Sequence, residues 1–175
     1  MPPPPVIELV QLPASAIAAL ADGDLAAADV AASVPLSAWL VSPGPRRTWG
    51  YRMRQLAKRP SDADWITRVI WDPALGRTVG QAGFHGPPDE HGRVEVGYGV
   101  DPDHRRHGYA RAAFVDLLER ARHEPSVRVL RVTISPGNVA SEHLIAPFGL
   151  VRVGEQWDEE DGLEIVYELS VEVDR

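Results

Sequence analysis

Val100-Asp101-Pro102-Asp103-His104-Arg105-Arg106-His107-Gly108-Tyr109-Ala110 joins an apolar strand to a helix through a basic turn that contains glycine. Upstream, Val94-Glu95-Val96-Gly97-Tyr98-Gly99-Val100 alternates with the period of a strand. Downstream, from Ala110 to His123, the apolar residues Ala113, Phe114, Leu117, Leu118 and Ala121 recur at helical spacing. A turn at a helix N-terminus brings free backbone N–H groups and the positive end of the helix dipole to one spot, so an anion can bind without any side chain reaching it. Gly108 permits close backbone approach, and Arg105 and Arg106 add charge. His107 reads as a loop donor or an exposed residue rather than a base. A mononucleotide P-loop needs a lysine followed by Ser or Thr, and a dinucleotide fingerprint needs three spaced glycines; this turn has neither.

Arg105-Arg106-His107-Gly108-Tyr109-Ala110 resembles the R/Q-x-x-G-x-G/A motif of the GNAT superfamily of acyl-CoA-dependent N-acetyltransferases. Asn138-Val139-Ala140-Ser141, followed by Leu144 and Phe148-Gly149-Leu150, resembles that family's N-x-x-S block and the turn after it. Glu95-Val96-Gly97-Tyr98 resembles the strand entering the motif in the branch that acetylates ribosomal-protein N-termini. The resemblance runs from Thr78 to Leu169, and before Trp65 no motif matches. It implies a GNAT-like α/β domain over residues 1–175, with a mixed, mostly antiparallel twisted sheet, a central splayed pair of parallel strands and helices on both faces. It also implies acetyl-CoA as co-substrate and an N-acetyltransferase that moves the acetyl group to a primary amine by direct attack in a ternary complex. The amine would be a protein or peptide N-terminus or a small molecule. The cofactor-binding residues implied are Tyr98, Gly99, Val100, Arg105, Arg106, His107, Gly108, Tyr109, Ala110, Asn138 and Ser141.

Composition sets the outer limits. A chain of 175 residues fits one domain with a substantial core. Its 44% hydrophobic and 25% charged residues are ordinary for a soluble globular protein. No apolar run approaches the ~20 residues of a membrane helix, and the four prolines near the start lack the basic and apolar regions of a signal peptide, so a cytoplasmic protein is expected. Zero cysteines exclude disulfides, thiolate zinc sites and a cysteine nucleophile. A net charge of −7 argues against a nucleic-acid partner. Glu155, Asp158, Glu159, Glu160, Asp161 and Glu164 cluster near the C-terminus, either as a solvated hairpin or as an acidic rim that attracts a cationic amine. No membrane partner is expected, and the protein is read as a monomer or homodimer.

Along the chain, Pro2 to Pro5 should be an extended arm and Val6 to Leu12 a first strand. Ala14 to Ala21 and Leu25 to Ala32 read as helices, the second ended by Pro35. Ser42-Pro43-Gly44-Pro45 reads as a loop, and Arg47 to Lys58 as a helix with Trp49, Met53 and Leu56 toward the core. Trp65 to Trp71 and Val79 to His85 read as strands joined by a turn from Asp72 to Gly76, and a turn from Gly86 to Gly92 leads to the Glu95 strand. Arg128 to Ile134 is a strand, Ser141 to Ala146 a short helix, and Leu150 to Trp157 and Leu163 to Val173 are strands. Helix and strand alternation around the motifs favours a parallel pair formed by the Glu95 and Arg128 strands.

Acyl transfer to an amine needs a phosphate cradle, a donor for the developing oxyanion and a route for the amine's proton. The family pattern takes the oxyanion donor from a backbone N–H where the central strand splays, and Tyr98-Gly99-Val100 stands at that position. The alternative is that Gly97 and Gly99 only relieve crowding. Glu95 is the candidate catalytic base, taking the proton through a water as the resemblance implies. The alternative is a salt bridge to Arg93 or Arg131. Asn138 and Ser141 match positions that touch the pantetheine arm and cap the next helix, and Ser141 could be a plain N-cap. Many relatives have a tyrosine seven residues after this Asn, but here Ile145 stands there, so the general acid is unassigned among His143, Tyr167 and solvent. Pro147 should end this helix early. His85, His91, His104 and His123 show no metal-ligand spacing, so no metal is expected. Trp39, Trp49, Tyr51, Trp65, Trp71 and Phe84 are read as core, with one or two lining an acceptor pocket. The competing readings are a non-catalytic acyl-CoA-binding sensor or regulatory module and a turn that binds another nucleotide.

Overall fold

A computed structural model describes residues 3–171. The expected proline arm therefore begins outside the described residues at Pro2, and the last strand's expected end at Val173 also lies outside them. The strands are β1 (Glu8–Val10), β2 (Arg68–Asp72), β3 (Arg77–Phe84), β4 (Arg93–Val100), β5 (Val129–Ile134), β6 (Val151–Asp158) and β7 (Gly162–Ser170). The helices are α1 (Ala14–Asp22), α2 (Leu25–Ala31), α3 (Pro43–Lys58), α4 (Tyr109–His123) and α5 (Val139–Ile145). All seven strands form one sheet in the order β1-β2-β3-β4-β5-β7-β6.

Every neighbouring pair is antiparallel except β4 and β5. That parallel pair needs a crossover, which α4 supplies. Pairing between the two strands is short: Arg93, Val94 and Glu95 match Val129, Leu130 and Arg131, and it stops there although both strands continue. On its other edge β4 stays paired with β3 up to Val100. The sheet is therefore split at its centre, opening beyond Glu95.

Each face of the sheet carries its own core. Alternation along β2 sends Ile70 to one core and Val69 to the other. On one face α4 lays down Ala113, Phe114, Leu117, Leu118 and Ala121 as a buried stripe on β3 and β4. Burial of each large side chain in that stripe contributes roughly 1.5–3 kcal/mol. On the other face α1, α2 and α3 pack around Ile17, Leu20, Leu40 and Trp49.

Two expected boundaries are corrected. Ser42-Pro43-Gly44-Pro45 is not a loop, because α3 starts at Pro43. Proline suits a first helical turn, where its missing N–H has no partner to lose and its φ is already helical. Ser141 is not the N-cap of α5. Asn138 is, accepting the Ser141 backbone N–H on its Oδ1 at 3.2 Å. The helix ends at Ile145 and passes into a 3-10 turn over Ala146–Phe148, as Pro147 requires.

Candidate active site

The turn ahead of α4 is held from within. The Asp101 carboxylate accepts the Asp103 N–H at 3.1 Å, and Arg105 Nε donates to the Val100 carbonyl at 3.1 Å. His107 Nδ1 lies 2.8 Å from the Arg105 carbonyl oxygen. The chain then reverses through Gly108 at φ 87°, a value that strains any residue with a Cβ. Gly108 is the N-cap and makes no side-chain cap bond, so the first-turn N–H groups of α4 have no side-chain partner. Below the turn, the Tyr109 hydroxyl donates to Asp72 Oδ2 at 2.6 Å and anchors α4 to the end of β2. Burial, together with that carboxylate, pushes the Tyr109 phenol up to about 12.

A cavity of about 590 Å³ opens against this turn. Tyr98, Gly99 and Val100 line it from β4; Arg105, Arg106, Gly108, Tyr109 and Ala110 from the turn; and Asn138 and Ser141 from α5. The fold thus brings together all the residues read from sequence as cofactor-binding except His107, which lies outside the lining. Arg111 and His143 join them. The donor set, with uncapped helix N–H groups, the guanidinium groups of Arg106 and of Arg111, the latter stacked on the Phe148 ring, and no Cβ at Gly108, fits a pyrophosphate.

A second cavity of about 530 Å³ lies across β4. Its helical wall is the polar face of α3: Arg47, Thr48, Tyr51, Arg52 and Gln55. Gln81 and His85 come from β3 and the residue after it, and Gly97 from β4. Asp158, Glu160 and Asp161 close it from the β6–β7 hairpin. Arg47 ties that hairpin to α3 through Glu160 at 3.4 Å and Asp161 at 3.3 Å. Tyr98 lines both cavities.

Glu95 sits beside this second cavity, at the last residue of β4 paired with β5. Its Oε1 accepts the Thr133 hydroxyl at 2.8 Å and stands 3.4 Å from His85 Nδ1. Burial raises the Glu95 pKa, against the opposing pulls of the Thr133 hydrogen bond and of Arg131 and Arg52. His85 is held down at about 4, first by its depth in the cleft and then by Arg52, so its imidazole is neutral near pH 7 although its ring is open to the cavity. The ion pair considered for Glu95 is absent. Arg93 and Arg131 both turn to Glu168, at 3.1 and 2.6 Å.

The acidic run divides. Asp158, Glu160 and Asp161 face the cavity. Glu155 pairs with Arg152, and Glu164 accepts from Gln156 at 2.9 Å. Of the two named side-chain candidates for the general acid, His143 lines the first cavity, while Tyr167 lies in β7 opposite Val132 and lines neither. Sequence reading passed over Arg52 and Gln81, and took His85 only as a histidine without metal spacing. The available signal was weak: Thr48, Tyr51, Arg52 and Gln55 share one helical face beside the stripe of Trp49 and Leu56, a pattern that also fits plain solvent exposure. No group of three or more His, Asp or Glu arranged to hold a metal occurs among the described residues.

The family model for the acetyltransferase (GNAT) domain matches residues 16–151, most of the chain, including β4 and the α3 wall of the second cavity. The chain belongs to the GNAT acetyltransferase family. A curated relative, the uncharacterized N-acetyltransferase YjdG of Bacillus subtilis (strain 168), is 32% identical over 73 residues, which cover 42% of this chain and 44% of that protein. The chain thus aligns with less than half the length of that relative. Among solved GNAT structures, a chimera of the spermidine N-acetyltransferase SpeG from Vibrio cholerae superposes with a TM-score of 0.66 at 14% identity, over 94% of this chain and 95% of that one. RimL, a ribosomal α-N-protein acetyltransferase solved with coenzyme A, superposes at 0.65 and 14% identity over 96% of each chain. The acetyltransferase yncA of Salmonella typhimurium, solved with acetyl-CoA, superposes at 0.61 and 18% identity over 95% and 94%. The GNAT fold expected from the motifs, with mixed strands and a central parallel pair, is the fold observed.

Proposed function

We propose that this protein is an acetyl-CoA-dependent N-acetyltransferase that acetylates a primary amine, either a peptide N-terminus or a small amine, in a ternary complex. The observation that carries this reading is the position of Tyr98, which lines both the cavity at the phosphate-binding turn and the cavity beside Glu95. Two substrates in those cavities would meet at the split between β4 and β5.

The α4 N-terminus, Arg106 and Arg111 hold the diphosphate, and Asn138 and Ser141 line the path of the pantetheine arm. When bound, acetyl-CoA supplies an acetyl thioester: the amine nitrogen gains the acyl carbon, the carbon–sulfur bond breaks, and CoA leaves as its thiol. Alternation along β4 turns the Tyr98 N–H to the side that β5 has left, where it can donate to a carbonyl oxygen with little reorganisation. Glu95 receives the amine's proton, with His85 or a water between them, since His85 lines the cavity and Glu95 stands behind it. The Tyr98 phenol is the acid for the leaving thiolate. It is buried without a hydrogen-bond partner, and burial raises its pKa against the pull of the nearby Ser141 hydroxyl.

Calorimetric titration with acetyl-CoA and CoA tests the reading, with Arg106→Glu and Gly108→Glu as controls. Among the described residues the Arg106 side chain makes no hydrogen bond, ion pair or ring contact, so its variant reverses a charge at the cavity without breaking one. Micromolar binding that both variants lose, followed by mass detection of an acetylated amine, is the expected result. Absence of binding by the folded wild type would overturn it.

A further inference from the structure

We propose that the acceptor is a 2-aminoacyl unit, an amine whose neighbouring carbon bears a carbonyl or carboxylate oxygen, and that Arg52 and Gln81 recognise that oxygen and that nitrogen. This rests on the amine acetylation proposed above and names its substrate class.

Arg52 projects from the middle of α3 into the second cavity. Its Nε donates to Thr67 Oγ1 at 3.0 Å, and its Nη1 donates to Gln55 Oε1 at 2.8 Å and to the His85 carbonyl at 2.9 Å. All three acceptors are neutral oxygens, and among the described residues no carboxylate forms an ion pair with this guanidinium. Gln55 is itself fixed, since its Nε2 donates to Asp62 Oδ2 at 2.9 Å and to the His85 carbonyl at 3.1 Å. The guanidinium is therefore held rigidly while Nη2 has no protein partner. A partly buried cation with no hydrogen-bonded carboxylate is costly, and burial accordingly lowers the Arg52 pKa, with the charge of Glu95 opposing. A ligand oxygen at Nη2 would relieve that cost.

Gln81 supplies the complementary group. It is 8% exposed, lines the same cavity, and its Oε1 accepts no hydrogen bond. An unpaired buried carbonyl oxygen calls for a donor, and an amine N–H is one. The cavity thus offers a charged donor and a bare acceptor, with Asp158, Glu160 and Asp161 at its hairpin wall to favour a cation on entry. An ammonium next to a carbonyl or carboxylate matches all three features. A polyamine matches the acidic wall and the Gln81 acceptor but has no oxygen for Nη2.

The test measures kcat/KM for alaninamide, alanine, alanylglycinamide, isopropylamine and spermidine with wild type, Arg52→Gln and Gln81→Met. Isopropylamine keeps the branched amine of alaninamide without its oxygen. Wild type is expected to prefer an aminoacyl acceptor over isopropylamine and spermidine by at least ~10-fold, because a site built to hydrogen-bond a group rejects analogues lacking it. Arg52→Gln should shrink the preference over isopropylamine to within ~3-fold, and differences in amine basicity cancel between wild type and variant. Gln81→Met should weaken all five, since all share the N–H. Alanylglycinamide against alanine separates a peptide N-terminus from a free amino acid. Equal or better turnover of spermidine or isopropylamine by wild type overturns the proposal, as does an undiminished preference in an Arg52→Gln protein that still binds acetyl-CoA. If Arg52→Gln loses acetyl-CoA binding through misfolding, the wild-type preference and Gln81→Met decide. Should acetyl-CoA bind while no amine of any class is acetylated, the proposed function itself has failed.

Discussion

Nδ1 of His85 stands 3.4 Å from Oε1 of Glu95. The far edge of the same imidazole lies where a side chain at position 97 would be, so that a Cβ there would meet His85 Nε2 at 2.6 Å. The pair is thus positioned from both sides. Residues 95 and 97 share one face of β4, and His85 follows the end of β3, the strand paired with it. The glycine that resembles a family position has here a local steric task, which is to leave room for the imidazole beside the candidate base.

Gly97→Ala forces the ring to move. The nearest atom is the tip of a side chain, so the fold should survive, but the proton route from the second cavity to Glu95 is displaced. Turnover should fall by ~10-fold to ~100-fold, given the sensitivity of catalysis to misplacement by about an ångström. Acetyl-CoA affinity, measured by calorimetry, should not change. Unchanged turnover would remove His85 from the route.

Glu95→Gln should cost ~10²-fold or more in kcat while leaving the acetyl-CoA Kd as it was. The stability effect has the opposite sign. Burial raises the Glu95 pKa in the fold, so the native state favours the neutral carboxyl and ionisation above that pKa is a burden. Glutamine escapes it. Thermal melts should therefore find Glu95→Gln the more stable protein at pH 8, with the difference closing as pH falls through the raised pKa into the ordinary carboxylate range.

His85 works in the other direction. The unfolded chain takes up its proton near the ordinary histidine value of 6.5, the folded protein only at about 4. The stability this group contributes is complete above 6.5 and is lost as pH falls toward 4. His85→Asn removes that dependence, so its melting temperature should change less than that of wild type across this window. Parallel curves would mean that the imidazole titrates normally.

Tyr109→Phe breaks the 2.6 Å hydrogen bond to Asp72 beneath the phosphate turn. Asp72 keeps the backbone N–H groups of Ala74 and Leu75 at 2.8 and 2.9 Å but loses its charge-assisted hydroxyl partner. Chemical denaturation should show a loss of about 1–3 kcal/mol. Because the same bond anchors the first turn of α4, acetyl-CoA should also bind more weakly.

How far the sequence could be read follows from the range of the forces involved. The strand from Val94 to Val100, the turn at Gly108 and the helix after it are local patterns, set by alternation, glycine conformation and apolar periodicity, and the structure keeps all three within a residue. The start of α3 was misread because Pro43 and Pro45 signal a break in isolation, yet proline is tolerated in a first turn. Asn138 and Ser141 both read as caps of α5, yet Asn138 alone is one, because the cap is decided by where the backbone bends.

The phosphate side of the site was legible because its residues lie in two short segments around Gly108 and Asn138. The acceptor side was not. Arg52, the pair Gln81 and His85, and Asp158 come from three distant segments of the chain, and no spacing rule links them. What the sequence determined by itself was the turn at the head of α4, which follows from interactions between near neighbours in the chain, and, through the resemblance of its motifs, the GNAT fold. Only the tertiary structure decided that Arg52 goes without a carboxylate, that Arg93 and Arg131 take Glu168 and leave Glu95 to Thr133 and His85, and that the acidic hairpin closes over α3. Ion pairing and desolvation depend on distances across the sheet, and those distances exist only once β3, β4, β5 and β7 have been brought side by side.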